Sequence, residues 1–195
     1  SYLSYNIVVG DNLDRERYIA FQVLDYVLCS APGAPLKQAL LDKKIGKDVY
    51  SYYENGLRQP YFSIIAKNAN LSDKAAFVET IEKELSRIAE EGIDKKALKA
   101  GLNYYEFRYR EADFGSWPAG LMYGLQVMDS WLYDDTKPFI HIEAGDTYRS
   151  LREKADTDYF EKLIRTWMID NGHKSVLTLA PKKGLSREHD ELLKR

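Results

Sequence analysis

The sequence predicts an α+β domain, a mostly antiparallel sheet with helices packed on one face. Three observations carry that expectation. Strand-like alternation marks residues 2–9 and 175–180, at the two ends, while most of the chain between them has its apolar residues at helical spacing. An Asn55-Gly56 pair between two short β-rich runs signals a hairpin and hence antiparallel pairing. The 195 residues, 45% of them hydrophobic, suffice for one core and fall short of two.

The elements follow in order. Leu3, Tyr5, Ile7 and Val9 alternate with Tyr2, Ser4, Asn6 and Val8, and Gly10-Asp11-Asn12 ends the run. A helix is expected over 14–29, with Phe21, Leu24, Val27 and Leu28 on one face. Residues 30–35 read as a turn, and Pro35 suits the first position of a short helix reaching about residue 43. Strands are expected over 48–54 and 58–67. In the second, Phe62, Ile64 and Ala66 share one face, and Tyr61, Ser63 and Ile65 the other. Ser72 is expected to cap a helix carrying Phe77, Ile81, Leu85 and Ile88, which ends near Gly92. Asp94 should cap the next, with Leu98, Leu102, Tyr105 and Tyr109 at helical spacing. A helix opening at Pro118 places Leu121, Leu125, Met128 and Leu132 on one stripe. Further helices are expected over about 144–154 and through Phe160, Leu163, Ile164, Trp167 and Met168, with Asn171-Gly172 as the stop. Residues 1–183 should form a single domain, and the charged, weakly helical 184–195 the start of a linker.

Composition narrows the function classes. Lys and Arg number 28 against 30 Asp and Glu, a net charge of −2, which argues against a general nucleic-acid or anionic-membrane binder. No uninterrupted apolar run approaches the ~20 residues of a membrane helix. Cys29 is the single cysteine, so no internal disulfide framework and no Cys-rich zinc site can be built. With no signal segment visible in these residues either, compartment stays open, the cytoplasm being the expectation.

Reactive constellations are scarce. The histidines are His141, His173 and His189, and none sits in the His-Glu-x-x-His or His-x-x-Glu-His pattern that brings two imidazoles to one zinc. His141 is expected to be a surface or helix-entry residue. No Gly-x-Ser-x-Gly elbow and no phosphate-cradling glycine loop is present. Cys29 reads as a small buried hydrophobe on an amphipathic helix. Read from its residues alone, the chain is an α+β domain without a self-contained active site.

One segment stands apart. Glu106, Phe107, Arg110 and Glu111 are followed by Phe114-Gly115, Pro118, Gly120 and Leu121, and then by Trp131-Leu132-Tyr133 and Pro138-Phe139. On its residues it reads as structural: Glu106 pairs with Arg110 one turn on, and the helix stops and restarts between Gly115 and Pro118. Tyr105 and Phe107 cannot share one side of a helix, so one should be buried and the other should meet a neighbouring helix or another domain. The segment resembles the signature stretch of presequence-protease-like enzymes in the pitrilysin/insulysin superfamily of inverzincin zinc metallopeptidases. Ala34-Pro35-Leu36 with Ala39-Leu40 resembles that superfamily's turn and short helix, and Ala119 departs from it where many relatives have arginine.

The resemblance implies four related α+β domains in two halves that close around a chamber. The first domain holds zinc through His-x-x-Glu-His and a distal Glu. This sequence looks like the second, which shares the fold and lost the motif. It implies no catalytic residue and no metal here, zinc in the catalytic domain of the parent protein, and short unstructured peptides as substrate. Partners would be the other domains of the same polypeptide and the peptide itself, with neither nucleic acid nor membrane. By the same resemblance, a substrate exosite would use Ala31, Pro32, Gly33 and Ala34 together with Val49, Tyr50, Ser51, Tyr52 and Tyr53. A stand-alone interaction module of the same fold is the competing expectation.

Overall fold

Antiparallel pairing organises the chain around one four-stranded sheet in the order β2-β3-β1-β4. The strands are β1 (Tyr2–Val8), β2 (Asp48–Glu54), β3 (Tyr61–Lys67) and β4 (Lys174–Leu179). The computed structural model describes residues 1–194. Register places Tyr5 opposite Ile64 on one side and Val176 on the other, and Ser51 opposite Ile64 across the next ladder. Side chains alternate across a strand, so Leu3, Tyr5, Ile7, Phe62, Ile64, Ala66 and Val49 come to one face, and all are buried there.

Helices cover that face alone. They are α1 (Arg15–Asp25), α2 (Pro35–Asp42), α3 (Lys74–Glu91), α4 (Lys95–Arg110), α5 (Ala119–Trp131), α6 (Gly145–Lys154) and α7 (Tyr159–Leu163), with an exposed α8 (Leu185–Leu193) in the tail. Apolar stripes at three- and four-residue spacing supply the contact: Phe21 and Leu24 from α1, Phe77, Ile81 and Leu85 from α3, Leu98 and Leu102 from α4. Burying one such side chain contributes roughly 1.5–3 kcal/mol. The stretch Arg15–Asp42 is long and apolar enough by composition to cross a membrane. A turn at 31–34 breaks it, and Phe21, Leu24 and Leu28 are buried in the core.

Several boundaries differ from the sequence expectation, each for a local reason. The first helix widens into a π-helical turn over Tyr26–Ser30, closed by the Ala31 N–H donating to the Tyr26 carbonyl at 2.7 Å. A second π-helical turn, Ile164–Ile169, continues α7. Asn70, rather than Ser72, forms the capping box, and it opens a 3₁₀ turn at Leu71–Asp73 ahead of α3. The connection between β2 and β3 spans 55–60, because β3 starts at Tyr61 rather than at residue 58. Arg58 is drawn off by Asp11 in an ion pair of 2.9 Å, and its carbonyl accepts from Asn12. His141, expected at the surface, is buried and stacks on Tyr18 with ring centroids 3.8 Å apart. Leu121, Leu125, Met128 and Leu132 do share one stripe, but it faces outward, as do Trp117 and Trp131.

Candidate functional site

The turn that follows the π-helical segment is a tight one. The Ala34 N–H donates to the Ala31 carbonyl at 3.0 Å, with Pro32 and Gly33 in the central positions and Gly33 at φ +73°. Proline presets the first central residue, and a positive φ at the second is the type II signature that favours glycine. Pro32 and Gly33 are exposed, Ala31 is half-buried, and Ala34 is buried against the core. The turn borders a cavity of about 420 Å³, lined also by Arg87, Ile88, Glu91 and Asp94. No residue of β2 lines that cavity, so the turn and the strand form two separate surfaces there.

The β2 edge follows from hydrogen-bond parity. The Val9 N–H donates to the Pro60 carbonyl at 2.8 Å, and the Val8 N–H to the His173 carbonyl at 3.1 Å. Odd residues of β1 therefore bond to β3 and even ones to β4, because successive backbone groups in a strand point to opposite sides. Carried through the register, β3 uses Tyr61, Ser63, Ile65 and Lys67 toward β2, opposite Glu54, Tyr52, Tyr50 and Asp48. The N–H and C=O groups of Val49, Ser51 and Tyr53 are left on the outer edge, where no strand pairs with them. The Val49 N–H is already taken by the Asp48 carboxylate at 2.9 Å. Ser51 and Tyr53 remain.

Side chains of this strand divide by parity as well. Tyr50 and Tyr52 project from the face without helices, 40% and 49% exposed, and the Tyr52 hydroxyl donates to Glu54 at 2.8 Å. Val49, Ser51 and Tyr53 turn toward the helices, where Tyr53 packs against Phe21. Behind them lies a polar pocket of the core. Burial raises the carboxyl of Asp25 above its usual range and pushes the Cys29 thiol up to about 12. A thiol so protonated at neutral pH is no nucleophile.

The signature segment is split between interior and exterior. Glu106 is buried and holds two guanidinium groups, Arg110 at 2.7 Å and Arg152 at 2.5 Å. Burial alone would raise its carboxyl, yet the hydrogen bonds from the two arginines outweigh it and leave the group below the usual range. Tyr105 packs against the core, while Phe107 stands 62% exposed. Glu111, Gly115, Pro118, Gly120, Leu121 and Trp131 lie at or near the exposed rim around α5, with no reactive group among them. Among the described residues, no three of His, Cys, Asp and Glu lie close enough to hold a metal ion. Sequence reasoning missed two features here, the outward direction of the α5 stripe and the burial of His141. Both depend on contacts across the fold that spacing does not record.

A family model described as Peptidase M16 inactive domain matches residues 1–105. Over its whole length the chain is 42% identical to Protein HypA of Clostridium perfringens, of which it covers 20%. It is 31% identical over 174 residues to presequence protease 1, chloroplastic/mitochondrial, of Arabidopsis thaliana, a match covering 87% of this chain and 16% of that protein. Among solved structures it is similar to the inactive peptidase domain of a protein classed as a zinc protease from Bordetella parapertussis. The TM-score is 0.72 at 10% identity, over 93% of this chain and 92% of that one, a likeness of fold. The chain spans a fifth or less of the length of these curated relatives.

Proposed function

The chain belongs to the family of peptidase M16 inactive domains, and from that membership we propose that it serves a longer zinc metalloendopeptidase that degrades short unstructured peptides. In this reading it forms part of a closed substrate chamber with the other domains of the same polypeptide. Zinc and the activated water belong to another domain, since the donor set for a metal is missing from the described residues. Residues 184–195 then begin the connector to the next half. The part played by this domain is to hold peptide rather than to cut it.

The observation that carries this reading is the unpaired edge of β2. An extended peptide adds to such an edge through main-chain hydrogen bonds, which place no demand on its sequence. Ser51 and Tyr53 supply the open backbone groups, Tyr50 and Tyr52 supply aromatic surface on the adjoining face, and the Ala31-Pro32-Gly33-Ala34 turn, a separate surface, would be a second contact for the peptide. Proline at Ser51 is the direct test. Its N–H points away from β3, so the substitution removes an edge donor and spares the ladder. In the full-length polypeptide, S51P should weaken binding of an unstructured peptide about fivefold, the worth of one hydrogen bond of about 1 kcal/mol. Unchanged affinity and turnover with the fold intact would reject the exosite.

A further inference from the structure

A second cavity, of about 220 Å³, lies among α1, α4, α5 and α6. Its walls are aromatic: Tyr18, Tyr105, Tyr109, Phe114, Tyr123 and Tyr148 all line it. Among the lining residues His141 is only 6% exposed, with neither ring nitrogen hydrogen-bonded among the described residues. Burial holds that imidazole down at about 4, so it is neutral at pH 7 and offers one donor and one acceptor. The half-exposed Arg108 and the exposed Asp113 lie at the solvent side.

The charged pair is not used up internally. Arg108 donates from Nε and Nη2 to the Asp113 carbonyl at 3.3 and 3.2 Å and from Nη1 to the Tyr104 hydroxyl at 3.3 Å. Three of its five N–H groups are thus engaged and two remain. It has no carboxylate partner within ion-pair distance among the described residues. Asp113 accepts from the Gly115 N–H through Oδ1, and its other oxygen has no partner among the described residues. A cation and an anion that do not neutralise each other, set at the mouth of an aromatic chamber, match a ligand carrying both charges next to a ring.

We propose that this cavity binds a free aromatic amino acid as its zwitterion, with tyrosine the best fit. The carboxylate meets Arg108, the ammonium meets Asp113, the ring enters between the tyrosines, and the phenol hydroxyl reaches His141. Offset and edge-to-face contacts suit a ring there, and a buried polar end suits the hydroxyl. A free amino acid is a terminal product of peptide breakdown. Binding at this cavity, however, requires neither the β2 edge nor any peptidase activity.

The test is calorimetric titration of the full-length polypeptide with L-tyrosine, tyramine, N-acetyl-L-tyrosine and L-phenylalanine. L-Tyrosine should bind, tyramine and the N-acetyl compound should each bind roughly tenfold more weakly, and phenylalanine a few-fold more weakly. Arg108→Gln should weaken L-tyrosine to the level of tyramine while leaving tyramine unchanged. Asp113→Asn should do the same with respect to N-acetyl-L-tyrosine. Asp113 is exposed and Arg108 half-exposed, so thermal melts close to the parent's are expected and confirm that the variants fold. Absence of L-tyrosine binding, equal affinity for the capped compounds, or indifference to both substitutions would overturn the assignment.

Discussion

Helices α3 and α5 carry the same sequence pattern and meet opposite fates. In α3, Phe77, Ile81, Leu85 and Ile88 lie on one stripe and are buried under the sheet and α2. In α5, Leu121, Leu125 and Met128 lie on one stripe, continued by Leu132 just beyond the helix, and face outward. The two helices are fastened differently. Apolar burial holds α3, whereas polar groups hold the end of α5: the Tyr18 hydroxyl donates to Asp129 at 2.9 Å and Asn12 donates to the Asp129 carbonyl, while the Ser130 hydroxyl ties down the following loop at the Lys137 carbonyl, 2.7 Å away. Periodicity therefore reveals that a helix has an apolar face, and these polar contacts reveal that α5 has turned that face away from its own core.

The largest effect should separate the two helices outright. Phe77→Ala should cost about 3–5 kcal/mol in thermal or denaturant unfolding of the chain, the usual loss for a fully buried aromatic. Leu125→Ala should cost less than about 0.5 kcal/mol, as exposed substitutions do. Comparable losses at the two positions would break the contrast.

Acid should loosen the α5 side through His141. Its imidazole titrates at about 4 in the folded chain against 6.5 in a free one, depressed chiefly by burial and then by Arg15. On lowering the pH, the unfolded chain takes up this proton first. The stabilisation is complete above 6.5 and is lost between 6.5 and 4, a change on the order of 3 kcal/mol. His141→Phe keeps a ring against Tyr18 and should flatten that part of the stability–pH curve. A variant curve parallel to the parent's would contradict the burial of a neutral imidazole.

A smaller effect is expected from the polar fastening itself. Asp129→Ala leaves the buried Tyr18 hydroxyl without its acceptor and should cost about 1–3 kcal/mol. Amide exchange should then accelerate in α5 before α3. Uniform acceleration across both helices would show that α5 is held by something other than these contacts.

Much of the fold could be read before the structure because local rules and tertiary contacts agree. β1 alternates cleanly, and its odd residues became the centre of the buried face. Asp94 caps α4 by accepting from Lys96 and Ala97, as its position suggested. The departures sit where a long-range contact overrode a local signal. The second strand, expected from residue 58, starts at Tyr61, and Arg58 in the connection pairs with Asp11 and accepts from the Asn12 N–H. The π-helical turns Tyr26–Ser30 and Ile164–Ile169 contain no glycine or proline, so no residue type in the sequence marks them. The candidate edge was legible as a tyrosine-rich strand. Which of its amides are free required the parity of the whole sheet, a property of four strands at once.

Residue-resolved hydrogen exchange on β2 tests the peptide-holding role most directly. The full-length polypeptide, with hydrolysis blocked by chelation, would be compared with and without an unstructured peptide. The amides of Ser51 and Tyr53 should slow when the peptide binds, because they gain partners. Those of Tyr50 and Tyr52, already directed to β3, should keep their rates. Peptide binding that leaves Ser51 and Tyr53 unprotected, or that protects the β4 edge at Val176 and Thr178 instead, would contradict a role for β2 in holding substrate.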